Sequence, residues 1–119
     1  MPVSTAIVWL KTASAILMIG FGLMFAIAAY PPTSGVAGLF VDLLFWPLDG
    51  AQSLAAPETR IILAIGGGIT AGWGVLVWQV ATHLMPSNPA MARHILIRSL
   101  LTWFFIDSTL SWVAGAPIN

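Results

Sequence analysis

"AIGGGITAGWG", residues Ala64 to Gly74, holds five glycines and no charge inside a long apolar stretch. Glycine costs a helix about 1 kcal/mol per position relative to alanine, so such a cluster needs a reason. A phosphate-binding loop requires Lys-Ser/Thr after its glycines, and a dinucleotide site requires GxGxxG after a strand. Neither pattern is present, and no cation lies within the stretch. Helix contact accounts for it better. Ala64, Gly68 and Gly72 recur at four-residue steps, with Gly67 and Ala71 beside them. This small-xxx-small spacing lets two membrane helices bring their backbones together. The expectation is that this doubled stripe, Ala64, Gly67, Gly68, Ala71 and Gly72, is the contact seam of a membrane-spanning helix, facing either another span or another subunit.

The composition agrees with a membrane setting. Of 119 residues, 59% are hydrophobic and 7% charged, against about 25% charged in a soluble domain. Four Lys/Arg and four Asp/Glu are too few to cover a water-facing surface. The formal net charge is zero and there is no basic tract, which leaves nucleic-acid binding without a footing. The lack of cysteine excludes disulfides, thiolate metal sites and cysteine nucleophiles.

A bilayer-spanning helix needs about 20 mostly apolar residues. Three stretches qualify: 5–30, 60–85 and 93–116. Pro31-Pro32 stops the first, since proline lacks the backbone donor and disfavours helix in the residue before it. "MPSNPA", Met85 to Ala90, is a polar turn between the second and third. A shorter apolar run, 35–47, carries Asp42 and suits an interfacial or re-entrant helix, with Leu39, Phe40, Leu43, Leu44 and Pro47 on one apolar side. The first 30 residues have some features of a secretory signal, but their apolar core exceeds the usual 7–15 residues, so the segment is read as a span. The expected fold is therefore an all-α integral membrane domain covering 1–119: three transmembrane helices in a compact antiparallel bundle, plus one short interfacial or re-entrant helix, with four spans as the alternative.

Orientation follows the Lys/Arg bias of short loops. Lys11, Arg93 and Arg98 fall on one side and Arg60 on the other. This places the N-terminus and the Met85–Ala92 turn in the cytoplasm and the C-terminus in the periplasm of a bacterial inner membrane. Further contact surfaces are expected at Gly22 and Ala26 in the first span, and at Ser111 and Gly115, in step with Asp107, in the third.

Few residues invite chemistry. Asp107, in "FFIDSTLSW", is an intramembrane carboxylate, costing about 2.5–3.5 kcal/mol on insertion scales. It is either a proton-relay or ion-binding group or, more economically, an interhelical hydrogen-bond anchor, with Lys11 as a conceivable counter-ion. His83 and His94 flank the short turn and could hold haem, a pigment or a metal. Headgroup contact explains them as well, and no third ligand or HExxH pattern accompanies them. Of six tryptophans, Trp9, Trp46 and Trp112 suit interfaces, while Trp73, Trp78 and Trp103 lie deeper and could touch lipid, quinone or pigment. No Ser-His-acid set can be assembled at compatible depths. The expectation is a non-catalytic membrane subunit, with no resident cofactor, that packs against a larger respiratory or photosynthetic complex. The alternatives are a homo-oligomeric channel or transporter using Asp107, and a haem- or pigment-binding protein using His83 and His94.

Overall fold

The computed structural model describes the chain from Met1 to Asn119. It is entirely helical, and two of its helices are long and apolar enough to cross a membrane. Helix α1 spans Val3–Ile27 and includes a π-type segment, Ser14–Gly20. A 3-10 turn at Pro31–Thr33 leads to α2, Gly35–Leu44. Helix α3 spans Pro57–Leu84 and ends in a second π-type segment, Val80–Leu84. Helix α4 spans Pro89–Val113. It has the length of a span, but Arg93, Arg98 and Asp107 leave it less apolar than α1 and α3.

Helix ends follow local chemistry. The Asn88 side chain accepts from the Met91 amide at 3.0 Å, and Pro89 takes the first helical position. This cap and proline start α4 four residues before the expected boundary at 93. Pro57 and Glu58 open α3, a proline at N1 and an acid near the positive end of the helix dipole. At the far end of α1, Thr33 Oγ1 donates to the Ile27 carbonyl at 2.6 Å and Arg60 Nε donates to the Ala29 carbonyl at 2.8 Å. The Ile27 carbonyl also accepts the Tyr30 amide at 3.0 Å, so it is Arg60 that satisfies a carbonyl the helix C-terminus leaves unpaired.

Helices α1 and α3 form a close antiparallel hairpin. A Cβ at Gly22 would lie 2.5 Å from the Ala71 nitrogen and 2.7 Å from the Gly67 oxygen. One at Gly67 would lie 2.5 Å from the Gly22 oxygen and collide with the Ala26 backbone. One at Gly74 would meet Met18 and Ile19 at 2.7–2.9 Å. The seam is thus Gly22 and Ala26 against Gly67, Ala71 and Gly74. Of the expected doubled stripe, Gly67 and Ala71 form the seam, whereas a Cβ added at Gly68 or Gly72 would meet nothing within 4 Å and Ala64 is only half-buried.

The expected compact three-helix bundle also needs correction. The three helices converge only near the Met85–Asn88 turn, where Val77, Met85, Ala92 and Leu96 are buried and Ile7, Leu10 and Met18 pack against them. Beyond Leu96, every residue of α4 from Ile97 to Ile106 is exposed. Contact resumes at the other end, where Ala116 is buried and Phe45 lies 3.8 Å from a Cβ position at Gly115. Helix α2 rests on α1 through Phe40, whose ring meets Phe21 and Phe25 edge-on at centroid distances of 4.8 and 5.7 Å. Its expected apolar side is only partly used: Phe40 and Leu44 turn inward, whereas Leu39, Leu43 and Pro47 are exposed and Ala37 and Asp42 are buried.

Alanine substitutions should separate the two glycine faces. Gly22→Ala and Gly67→Ala should destabilise the isolated chain by about 1–3 kcal/mol through overpacking. Gly68→Ala and Gly72→Ala should be neutral or gain up to about 1 kcal/mol of helix propensity. Thermal unfolding in detergent, followed by circular dichroism, measures both; equal responses at all four positions would place the seam elsewhere.

Candidate functional site

The chemistry-bearing side chains are dispersed along the hairpin rather than gathered at one centre. Near the turn, Lys11 Nζ lies 4.5 Å from the centroid of the Trp78 ring, a cation–π contact between α1 and α3. Lys11 is therefore not the counter-ion of Asp107. At the loop end, Asp42 is buried and accepts the Gly50 amide on both carboxylate oxygens, at 3.2 and 3.0 Å. Gly50 has φ +70°, which lets the chain turn its amide back toward α2. Asp42 thereby anchors the loop after α2, a role that its place in the sequence does not suggest.

Asp107 lies toward the C-terminal end of α4. Its Oδ2 accepts from Asn119 Nδ2 at 2.8 Å, and Ser111 Oγ bonds the same nitrogen at 2.6 Å. The turn that permits this is a Schellman cap: Ala116 N–H bonds the Ser111 carbonyl at 2.9 Å, Gly115 N–H bonds the Trp112 carbonyl at 3.1 Å, and Gly115 takes φ +88°, as this motif favours. The expected interhelical role of Asp107, Ser111 and Gly115 is thus replaced by a tail clasp within one end of the chain. The sequence signal for it is Gly115 followed by a proline two residues later, which marks a helix stop rather than a helix contact.

His83 lies in the last turn of α3 and His94 in the second turn of α4, both exposed. Neither ring makes a hydrogen bond, and no cluster of three or more His, Cys, Asp or Glu exists to hold a metal ion.

A shallow, open fissure runs along α4, bounded at its turn end by Trp73 of α3. Its turn-side part, about 480 Å³, is lined by Trp73, Arg98, Ser99, Thr102 and Trp103. Trp73 and Trp103 pack directly on each other at its floor, with a centroid distance of 5.6 Å and tilted ring planes. Thr102 Oγ1 donates to the Arg98 carbonyl at 2.8 Å, while the Arg98 guanidinium has no carboxylate partner in the chain. The loop-side part, about 540 Å³, shares Trp103 and continues past Ile106, Asp107, Leu110 and Ser111 to Ala114. On α4 these residues recur at four-residue steps, so both parts open on one helix face.

The chain matches no protein-family model, no curated protein and no solved structure. The dispersed polar groups contain no cluster able to hold a metal ion, and the fissure is an open surface feature rather than an enclosed cavity.

Substitution at Asp107 tests the tail clasp. Asp107→Asn keeps an acceptor oxygen for Asn119 and should stay within about 0.5 kcal/mol of wild type. Asp107→Leu should speed amide exchange at Ala116–Asn119 without moving the melting of α1 and α3. Unchanged exchange in the leucine variant would remove the clasp.

Proposed function

We propose that the chain is a three-span integral membrane protein, with α2 at the interface, that serves as a non-catalytic subunit of a larger membrane complex. The observation that carries this reading is the uncovered surface of α4. From Ile97 to Ile106 the helix is exposed on every side, and the polar Arg98, Ser99 and Thr102 lie among the exposed apolar residues. Beside it, the Gly68/Gly72 face of α3 is also uncovered, since an added Cβ meets nothing within 4 Å there, and small residues of this spacing let a neighbouring helix approach closely. The hairpin supports the membrane setting. Only 11% and 17% of the most apolar windows of α1 and α3 are buried, unlike the core helices of a water-soluble protein. Exposed side chains such as Ile16, Leu17, Ile62, Ile69 and Leu76 line their outer faces. The antiparallel hairpin brings the N-terminus and the Met85–Asn88 turn to one end, which the Lys/Arg bias assigns to the cytoplasm.

A second reading, a homo-oligomeric channel or transporter, has one observation in its favour: Asp107 lines the open loop-side fissure. Its bond to Asn119 counts against a free ion-binding group.

Purification from the native membrane in a gentle detergent tests both readings. The subunit reading expects a defined set of co-purifying proteins, lost in Gly72→Leu, since a bulky side chain on the open glycine face holds a neighbouring helix away. A self-oligomer without other proteins would favour the channel instead. Topology is read by single cysteines placed in this cysteine-free chain. Probes at Ser87 and Ser53 should label from opposite sides, and labelling from the same side would refute the span arrangement.

A further inference from the structure

We propose that the turn-side fissure between α3 and α4 binds one anionic phospholipid of the turn-side leaflet, its phosphate on Arg98 and an acyl chain laid along the outer surface of the Trp73–Trp103 pair. The inference rests on the membrane reading above and goes beyond it in naming a ligand and its site.

Arg98 lies on an apolar helix and has no acidic partner. The nearest acid on α4, Asp107, is nine residues further along, about 13.5 Å, and is occupied by Asn119. A guanidinium in this setting calls for an anion able to accept its planar array of donors, and phosphate matches that geometry. The direction of the side chain sets the depth. Side chains in a helix lean toward its N-terminus, and the N-terminus of α4 is at the turn. Arg98 therefore reaches back toward the turn-side interface, where lipid phosphates lie.

The polarity of the fissure has the same order as a phospholipid. Arg98 and Ser99 come first. Thr102 and Trp103 follow one turn deeper, about 6–7.5 Å along the axis, with Trp73 packed on Trp103. Ile106 and Leu110 come next, in the continuation that shares Trp103. From Arg98 to Leu110 is twelve residues, about 18 Å, comparable with the roughly 15 Å of hydrocarbon in one leaflet. Ser99 Oγ makes no hydrogen bond within the chain and can donate to a headgroup oxygen. The lining residues carry one positive charge and no acid in the turn-side part, which favours an anionic over a zwitterionic headgroup.

The test uses the full chain, purified in detergent and stripped of lipid, in native mass spectrometry with phosphatidylglycerol or phosphatidylcholine added. One phosphatidylglycerol is expected to bind, about tenfold more tightly than phosphatidylcholine, the scale of one charge-assisted contact. Arg98→Gln should lose about tenfold in affinity. Arg93→Gln, an exposed cation on the same helix outside the fissure, should bind as wild type. Ser99→Trp keeps the charge but fills the cleft and should also lose the lipid; circular dichroism confirms that each variant is folded. Equal losses in Arg98→Gln and Arg93→Gln would overturn the site in favour of diffuse surface charge. So would equal affinity for the two lipids, unchanged binding in Ser99→Trp, or displacement by inorganic phosphate. Because extraction of native membranes with alkaline carbonate reports membrane integration separately, a chain that stays in the membrane yet binds no lipid sinks this inference alone.

Discussion

The close approach of α1 and α3 is the constraint on which the rest of the structure depends. In lipid, apolar side chains gain little by leaving one hydrocarbon medium for another, so helix association rests on van der Waals contact and on satisfied polar groups. Contact of that kind requires the backbones to come near, and Gly22, Gly67 and Gly74 leave no room for a Cβ. The resulting register is steady along the hairpin. Lys11 pairs with Trp78, Met18 with Gly74, Gly22 with Ala71, Ala26 with Gly67, and Ala29 with Arg60. The π-type segments in α1 and α3 do not interrupt it.

This register also distributes the charges. Lys11 is held near one end by an aromatic face and Arg60 near the other by a helix-end carbonyl, so neither needs a carboxylate. Asp42 directs its charge at a backbone amide, and Asp107 at a side-chain amide. Each is a local solution that avoids leaving a buried ion unpaired, where the desolvation penalty is largest. Arg98, like Arg93 on the same helix, has no comparable partner within the chain, but of the two only Arg98 lines the fissure.

The number and class of the helices are legible in the sequence, because long apolar runs bounded by proline and polar turns have few other solutions. Gly22 and Ala26 are legible as contact residues too. Which half of the doubled stripe on α3 meets α1 is not. Two small-residue stripes overlap in "AIGGGITAGWG", and the regular four-residue step through Ala64, Gly68 and Gly72 is the stronger pattern than the broken one through Gly67, Ala71 and Gly74. The choice between them is made by the partner helix, which no local pattern encodes. The same limit hides the splaying of α4: its apolar residues fit a bundle core and an uncovered surface equally well. The tail clasp escapes for another reason, since Gly115 fits both a contact pattern and a C-cap pattern, and the C-cap wins.

The unused stripe on α3 gains meaning from that geometry. Successive residues are separated by about 100° around a helix, so Gly68 and Gly72 lie roughly a quarter turn away from the Gly67/Ala71 seam. A second helix can therefore approach α3 closely without disturbing α1. A helix carrying two small-residue faces loses propensity twice, at about 1 kcal/mol per glycine, and the internal hairpin accounts for only one of them. The open face and the exposed flank of α4 are thus two surfaces on which folding of the chain alone makes no demand. The proposed contact with a neighbouring protein would supply a physical reason for both.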